Sequence, residues 1–129
     1  MGHTAEEERN LQVCTEMYHR MLMQFDSSVI DTYIADDYIQ HSTGATDGKE
    51  GLRTFLDEHK TAYPDIEMRI KKRLADGDCT VFHVHVTRHA GDPGLAAVDI
   101  FRLVDGKVKE HWETLQEIPA TLPHGNGIF

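Results

Sequence analysis

One carboxylate and three imidazoles are the side chains of this 129-residue chain best placed for chemistry: Asp99, His41, His83 and His85. Asp99 lies in the stretch 98–118, which reads as two strands joined by Asp105-Gly106, a pair that tolerates the positive φ of a tight hairpin turn. Setting Val104 opposite Lys107 pairs Leu103 with Val108, Phe101 with Glu110 and Asp99 with Trp112. Because side chains alternate with a period of two, Asp99 then shares a face with Phe101, Leu103 and Trp112. A carboxylate among large apolar groups is costly unless it is paired or takes up a proton. Asp99 is therefore the expected acid and base.

The strand 79–89 places His83 and His85 on one face and Phe82, Val84 and Val86 on the other. If His89 pairs with Leu95 across the loop 90–94, His85 falls opposite Asp99 and His83 opposite Phe101. Pairing Ala75 with Asp78 around an Asp76-Gly77 turn brings Met68 opposite His85 and Ile70 opposite His83. The expected pocket face thus carries Met68, His83, His85, Asp99, Phe101 and Trp112.

Tyr38 and His41 come from a short extended piece ahead of the loop 42–46. In this arrangement Asp99 removes a proton alpha to a carbonyl, and His85 holds or shares it. His41 or Tyr38 donates a hydrogen bond to the developing enolate oxygen. Tyr38, Met68, His83, Phe101 and Trp112 contact the substrate, and no cofactor is needed. Three alternatives stand beside this reading. His85 and Asp99 could merely neutralise each other, His83-x-His85 with His41 or Asp99 could bind a divalent metal, or the pocket could only hold a small apolar ligand.

The elements that must position these residues follow from periodicity and punctuation. Thr4 followed by three glutamates reads as a helix cap, and Leu11, Cys14, Tyr18, Met21, Leu22 and Phe25 form one apolar stripe. A short second helix is expected at 29–35 and a third at about 47–62. The third opens on a capping box of Asp47 and Glu50 and is stopped before Pro64. Four alternating strands follow, which predicts an α+β domain spanning 1–129, with three helices on one face of a curved antiparallel sheet. The tail 119–129 is irregular, with Ile128-Phe129 expected to tuck into a groove. Phe82, Val84, Val86, Val98 and Ile100 then form an outer face with no helix to cover it, and a homodimer is expected through it.

The excess of 22 acidic over 13 basic residues, a formal charge of -9, argues against nucleic acid and anionic membrane as partners. No apolar run reaches the length of a membrane span and the amino end lacks a signal-like pattern, so the cytoplasm is the expected location. Cys14 and Cys79 fit no redox or metal motif and are expected to be reduced, packed thiols.

Tyr38-Ile39-Gln40-His41, Asp47-Gly48-Lys49-Glu50-Gly51, His83-Val84-His85-Val86, the hairpin of Val98-Asp99-Ile100-Phe101-Arg102 and Asp105-Gly106-Lys107-Val108 with Glu110-His111-Trp112, and an ending of Asn126-Gly127 before Phe129 together resemble the SnoaL-like polyketide-cyclase family, in particular its small stand-alone members named as predicted aldol-condensation enzymes. The resemblance implies the cone-shaped α+β barrel of the nuclear transport factor 2-like superfamily, also described as cystatin-like. It also implies a deep pocket between helices and sheet, and commonly a dimer through the sheet's outer face. In the characterised cyclases an aspartate near a histidine on the adjoining strand serves as acid and base in an aldol ring closure; Asp99 and His85 match those positions. Relatives of this fold isomerise, dehydrate, open epoxides or only bind ligands, so the fold alone leaves the reaction open.

Overall fold

A computed structural model describes residues 2–129. Helix α1 (Ala5–Met17) starts on the expected cap: Thr4 Oγ1 accepts the Glu7 N–H at 3.1 Å, and Glu7 Oε1 accepts the Thr4 N–H at 2.8 Å. It runs straight into a π-helical turn, Tyr18–Leu22, in which the Met23 N–H reaches the Tyr18 carbonyl at 2.8 Å. A 3₁₀ turn (Ser27–Val29) and the one-turn helix α2 (Ile30–Tyr33) feed strand β1 (Ile34–Gln40). Helix α3 (Gly48–Ala62) is followed by β2 (Glu67–Asp76), β3 (Cys79–Thr87), β4 (Leu95–Val104) and β5 (Lys107–Glu117).

The sheet has the order β1-β5-β4-β3-β2. The four expected antiparallel strands are present, and β1 adds a fifth that lies parallel to β5. The helices pack on the concave face of this curved sheet, the α+β cone expected from the resemblance. Phe82, Val84, Phe101 and Val108 from the sheet meet Met17, Tyr18, Met21 and Leu56 from the helices in one core.

Three irregularities set which side chains face that core. At the β4–β5 hairpin the turn is Asp105-Gly106 with Val104 opposite Lys107 and Leu103 opposite Val108, as expected. Lys109 is then an extra residue in β5, so Arg102 pairs with Glu110, Phe101 with His111, Ile100 with Trp112 and Asp99 with Glu113. A bulge of one residue exchanges the two faces beyond it. The Lys109 ammonium ion-pairs with Asp37 and donates to the Asp37 carbonyl at 3.1 Å, which anchors the bulge to β1. Trp112 consequently leaves the face of Asp99, and His111 takes the inward position.

The β3–β4 connection is longer than the loop 90–94. The Arg88 backbone N–H and guanidinium bind the Asp92 carboxylate, Gly94 N–H donates to Asp92 Oδ1 at 3.0 Å, and pairing resumes with Val86 opposite Leu95. Gly94 has φ +90°, and a Cβ there would stand 2.1 Å from the Val86 carbonyl oxygen, so this turn requires glycine. The pairing differs from the expected one by three residues, an odd number, and the faces of β3 are reversed. Asp99 lies opposite Phe82, not His85, and His85 lies opposite Ala96.

In the β2–β3 hairpin the turn is Gly77-Asp78, not Asp76-Gly77. With an extra residue at Lys71, Met68 meets Val86 and Ile70 meets Val84. Phe82, Val84 and Val86 are therefore core residues rather than part of an outer interface. Val98 and Ile100 do lie on the outer face. The tail reaches that face as well, with the Phe129 ring 4.8 Å from His83 and 4.9 Å from His85.

Phe82 is fully buried between Tyr18 and Phe101, with ring centroids at 4.9 and 6.2 Å. Phe82→Ala should therefore destabilise the protein by about 3–5 kcal/mol, measured by urea unfolding. Placed on the outer face, Phe82 would be far cheaper to truncate.

Candidate functional site

Between the helices and the concave sheet lies a cavity of about 90 Å³. Its wall is largely apolar, with Met17, Met21, Leu52, Met68 and Phe101 among the lining residues. The polar groups on it are Tyr18, Tyr38, Gln40, Ser42, Asp99, His111 and Glu113. An apolar pocket with a few convergent polar groups is the usual form of a small-molecule site.

Asp99 is at the centre of those groups and is 6% exposed. Tyr18 Oη donates to Asp99 Oδ2 at 2.5 Å, and His111 Nε2 lies 2.8 Å from Asp99 Oδ1. Tyr18 reaches the carboxylate from the π-helical turn. Such a local widening re-aims side chains and is frequent at functional sites. Burial first, and the Asp99 charge second, hold the Tyr18 hydroxyl well above the usual phenol range, so it remains a donor.

Glu113 stands opposite Asp99 on β5, and an oxygen of each carboxyl lies within 4.8 Å of the other. Its pKa is pushed up to about 8, mainly by burial and then by the neighbouring Asp99 charge, against the partial relief of Ser42 Oγ donating to Glu113 Oε1 at 3.0 Å. Glu113 is therefore held towards its protonated, neutral form. Burial likewise raises the Tyr38 hydroxyl, with the Asp99 charge adding to the effect.

Asp47 caps α3 as expected, its carboxylate accepting the N–H groups of Gly48 and Gln40, both at 2.9 Å, but Glu50 pairs with Arg53 and does not close the box. Strand β1 is thereby tied to the start of α3 directly behind the cavity.

Of the expected site residues, Asp99, Tyr38, Met68 and Phe101 line this cavity. His83, His85, His41 and Trp112 do not. His85 points to the outer face, where its Nε2 lies 2.8 Å from the Pro93 carbonyl, so it cannot pair with Asp99. His83 shares that face and packs on Phe129.

The bulge in β5 turns Trp112 outward. His41 stacks on it at 5.0 Å and pairs with Glu110 at 2.6 Å, which keeps the His41 imidazole out of the pocket. The histidine grouping proposed for a metal is thus dispersed.

Tyr18, Gln40, His111 and Glu113 are the residues that strand pairing from sequence did not bring to the site. Tyr18 already lay on the apolar stripe of α1, and a buried tyrosine hydroxyl needs a partner. His111-x-Glu113 has the same one-face spacing as His83-x-His85, but the bulge at Lys109 decides that it faces inward.

Among the described residues, Asp99, His111 and Glu113 also have the donor types of a cation site, with one ligand-type atom each within 4.8 Å of the others. His111 Nε2 and Asp99 Oδ1 point at each other at 2.8 Å, which is the geometry of a hydrogen-bonded pair.

Residues 15–111 match the family profile of the SnoaL-like domain, three quarters of the chain. The chain belongs to the SnoaL-like family. No curated protein sequence matches it significantly. Among solved structures, this SnoaL-like chain is similar to the "Putative SnoaL-like polyketide cyclase" of Jannaschia sp. CCS1, with TM-score 0.73, 19% identity, and 89% of this chain and 90% of that one covered. It is also similar to the "Putative polyketide cyclase" of Bacillus cereus ATCC 10987, with TM-score 0.73, 22% identity and coverage of 83% and 74%. A third similar structure is the "putative ketosteroid isomerase" of Kribbella flavida DSM 17836, with TM-score 0.73, 20% identity and coverage of 92% and 86%. At these identities the likeness establishes the fold alone, the α+β cone of the SnoaL-like domain. Among the described residues, no helix is long and apolar enough to cross a membrane.

Proposed function

We propose that this chain is a cofactor-independent acid–base enzyme that moves a proton at the carbon alpha to a carbonyl group. The observation that carries the reading is a buried carboxylate on an apolar cavity wall, gripped by Tyr18 and His111 and faced by a second carboxyl, Glu113, whose burial favours its neutral form. Asp99 takes the proton from carbon. The electron pair of that C–H bond moves to the carbonyl oxygen, and the enolate accepts hydrogen bonds from the Tyr38 hydroxyl or the Glu113 carboxyl. Returning the proton to a different carbon isomerises the substrate; attack of the enolate carbon on a second carbonyl closes an aldol bond. The likeness to structures named as polyketide cyclases and a ketosteroid isomerase supports this class of chemistry.

A cavity of about 90 Å³ is smaller than the roughly 300–1,000 Å³ of drug-sized sites. A single-ring ketone or cyclic enone, in part projecting from the mouth, suits it better than a fused polycycle. The test is deuterium incorporation from heavy water into cyclopentanone and 2-cyclohexenone, followed by mass spectrometry. Catalysed incorporation supports the enzyme reading. Saturable binding of these ketones without exchange would replace it, for them, by a carrier or receptor of small apolar ligands.

A two-fold pairing of copies through the outer sheet face belongs to the same proposal. Its apolar members are now Val98, Ile100 and Trp112, with Phe82, Val84 and Val86 withdrawn to the core.

A further inference from the structure

The hydrogen bonds around His111 fix where its protons sit. Gln40 Oε1 lies 2.8 Å from His111 Nδ1 and also 3.1 Å from the backbone nitrogen of Ser42. A backbone N–H can only donate, so the Gln40 atom facing it is the carbonyl oxygen, and the amide cannot be turned round. That oxygen can only accept, so His111 Nδ1 carries a proton and gives it to Gln40. Strand pairing holds the two in place: Gln40 lies beside His111 across the parallel β1–β5 ladder, the His41 N–H donates to the His111 carbonyl at 2.9 Å, and Asp47 holds the Gln40 N–H.

The other ring nitrogen faces Asp99 Oδ1 at 2.8 Å, and Asp99 Oδ2 already receives the Tyr18 hydroxyl. Two lone pairs cannot face each other at that distance, so one proton must lie between Nε2 and Oδ1. With Nδ1 occupied, that proton is on either the imidazole, making an imidazolium–carboxylate pair, or the carboxyl, making a neutral pair.

We propose that Gln40 is a positioning residue that locks the Nδ1–H of His111 and thereby leaves the His111–Asp99 pair a single proton to exchange, the one between His111 Nε2 and Asp99 Oδ1. The inference rests on the acid–base reading for its purpose, while the proton arrangement itself stands independently of any substrate. Without the lock, a neutral His111 could carry its single proton on Nε2 and donate it to an ionised Asp99. The ring would then retain no proton on Nδ1, and the histidine would have none to spare on returning to the neutral state.

The test is long-range ¹H–¹⁵N correlation NMR of the ¹⁵N-labelled protein, with His111 assigned by the signal lost in His111→Asn. Wild type should show a protonated Nδ1. Gln40→Leu, which keeps the bulk but removes the acceptor, should shift Nδ1 to the unprotonated type with the proton on Nε2. Gln40→Glu, which restores an acceptor, should bring back the protonated Nδ1. Amide spectra check that each variant stays folded; if Gln40→Leu does not fold, the wild-type and Gln40→Glu spectra still decide.

An unprotonated Nδ1 in wild type, or a protonated Nδ1 unchanged in folded Gln40→Leu, overturns the lock. Neither result depends on ketone exchange. A lock confirmed by NMR beside an absence of exchange would count against the enzyme reading alone.

Discussion

Asp99→Asn should lower the rate of deuterium exchange into a ketone substrate by about 10²–10⁴-fold, the usual share of a general acid–base group. The substitution removes the base and little else. An asparagine carbonyl oxygen can still accept the Tyr18 hydroxyl, and its amide can donate to His111 Nε2 if Nδ1 holds the imidazole proton. Cavity shape and fold are therefore retained, and ligand affinity should change by no more than a few-fold. A variant that binds the ketone normally but exchanges nothing separates a lost base from a lost pocket. An equal exchange rate in folded Asp99→Asn would remove Asp99 from the chemistry.

Glu113 gives the second large effect, in the pH dependence. A carboxyl pushed up to about 8 is a proton donor to the enolate oxygen below that pH and loses this role above it. The exchange rate should accordingly fall as pH rises through about 8, and Glu113→Gln, whose amide donates without titrating, should flatten that limb.

Stability should move in the same window. Its folded pKa lies above the 4.5 of an ordinary glutamate, so the folded state binds the extra proton between the two values. The contribution is present in full below about 4.5 and is lost as pH rises towards 8. Between pH 5 and 8.5, wild type should lose about 2 kcal/mol relative to Glu113→Gln in urea unfolding, a figure reduced from the full shift because the side chain is partly exposed. The lowered carboxylates, such as Glu110 beside His41 and Arg102, are common to both proteins and cancel in this difference.

The periodicity of the chain carries the architecture well. The Thr4 cap, the apolar stripe through Tyr18, the third helix and the Asp105-Gly106 turn each arise from local spacing, and local spacing sufficed to place them. Asp99 was also legible, because an acid alternating with Phe101 and Leu103 faces the core on a strand regardless of its neighbour's register.

Its partners were not legible, since they depend on pairings between strands, where one residue reverses a face. Lys109 adds that residue in β5 through its attachment to Asp37. The Arg88–Asp92 turn adds three to the β3–β4 register. The first exchanges Trp112 for His111, and the second sends His83 and His85 outward. The parallel β1–β5 pairing brings in Gln40 and depends on a contact between segments some seventy residues apart, which no short-range pattern encodes.

These reversals yield a choice between two histidines, and the central measurement follows from it. Ketone deuterium exchange should be compared in folded His111→Ala and His85→Ala under identical conditions. The account predicts a loss of about 10²-fold or more in His111→Ala and a rate within two-fold of wild type in His85→Ala. Loss of exchange in His85→Ala with full activity in His111→Ala would contradict the site built on Asp99, His111 and Glu113.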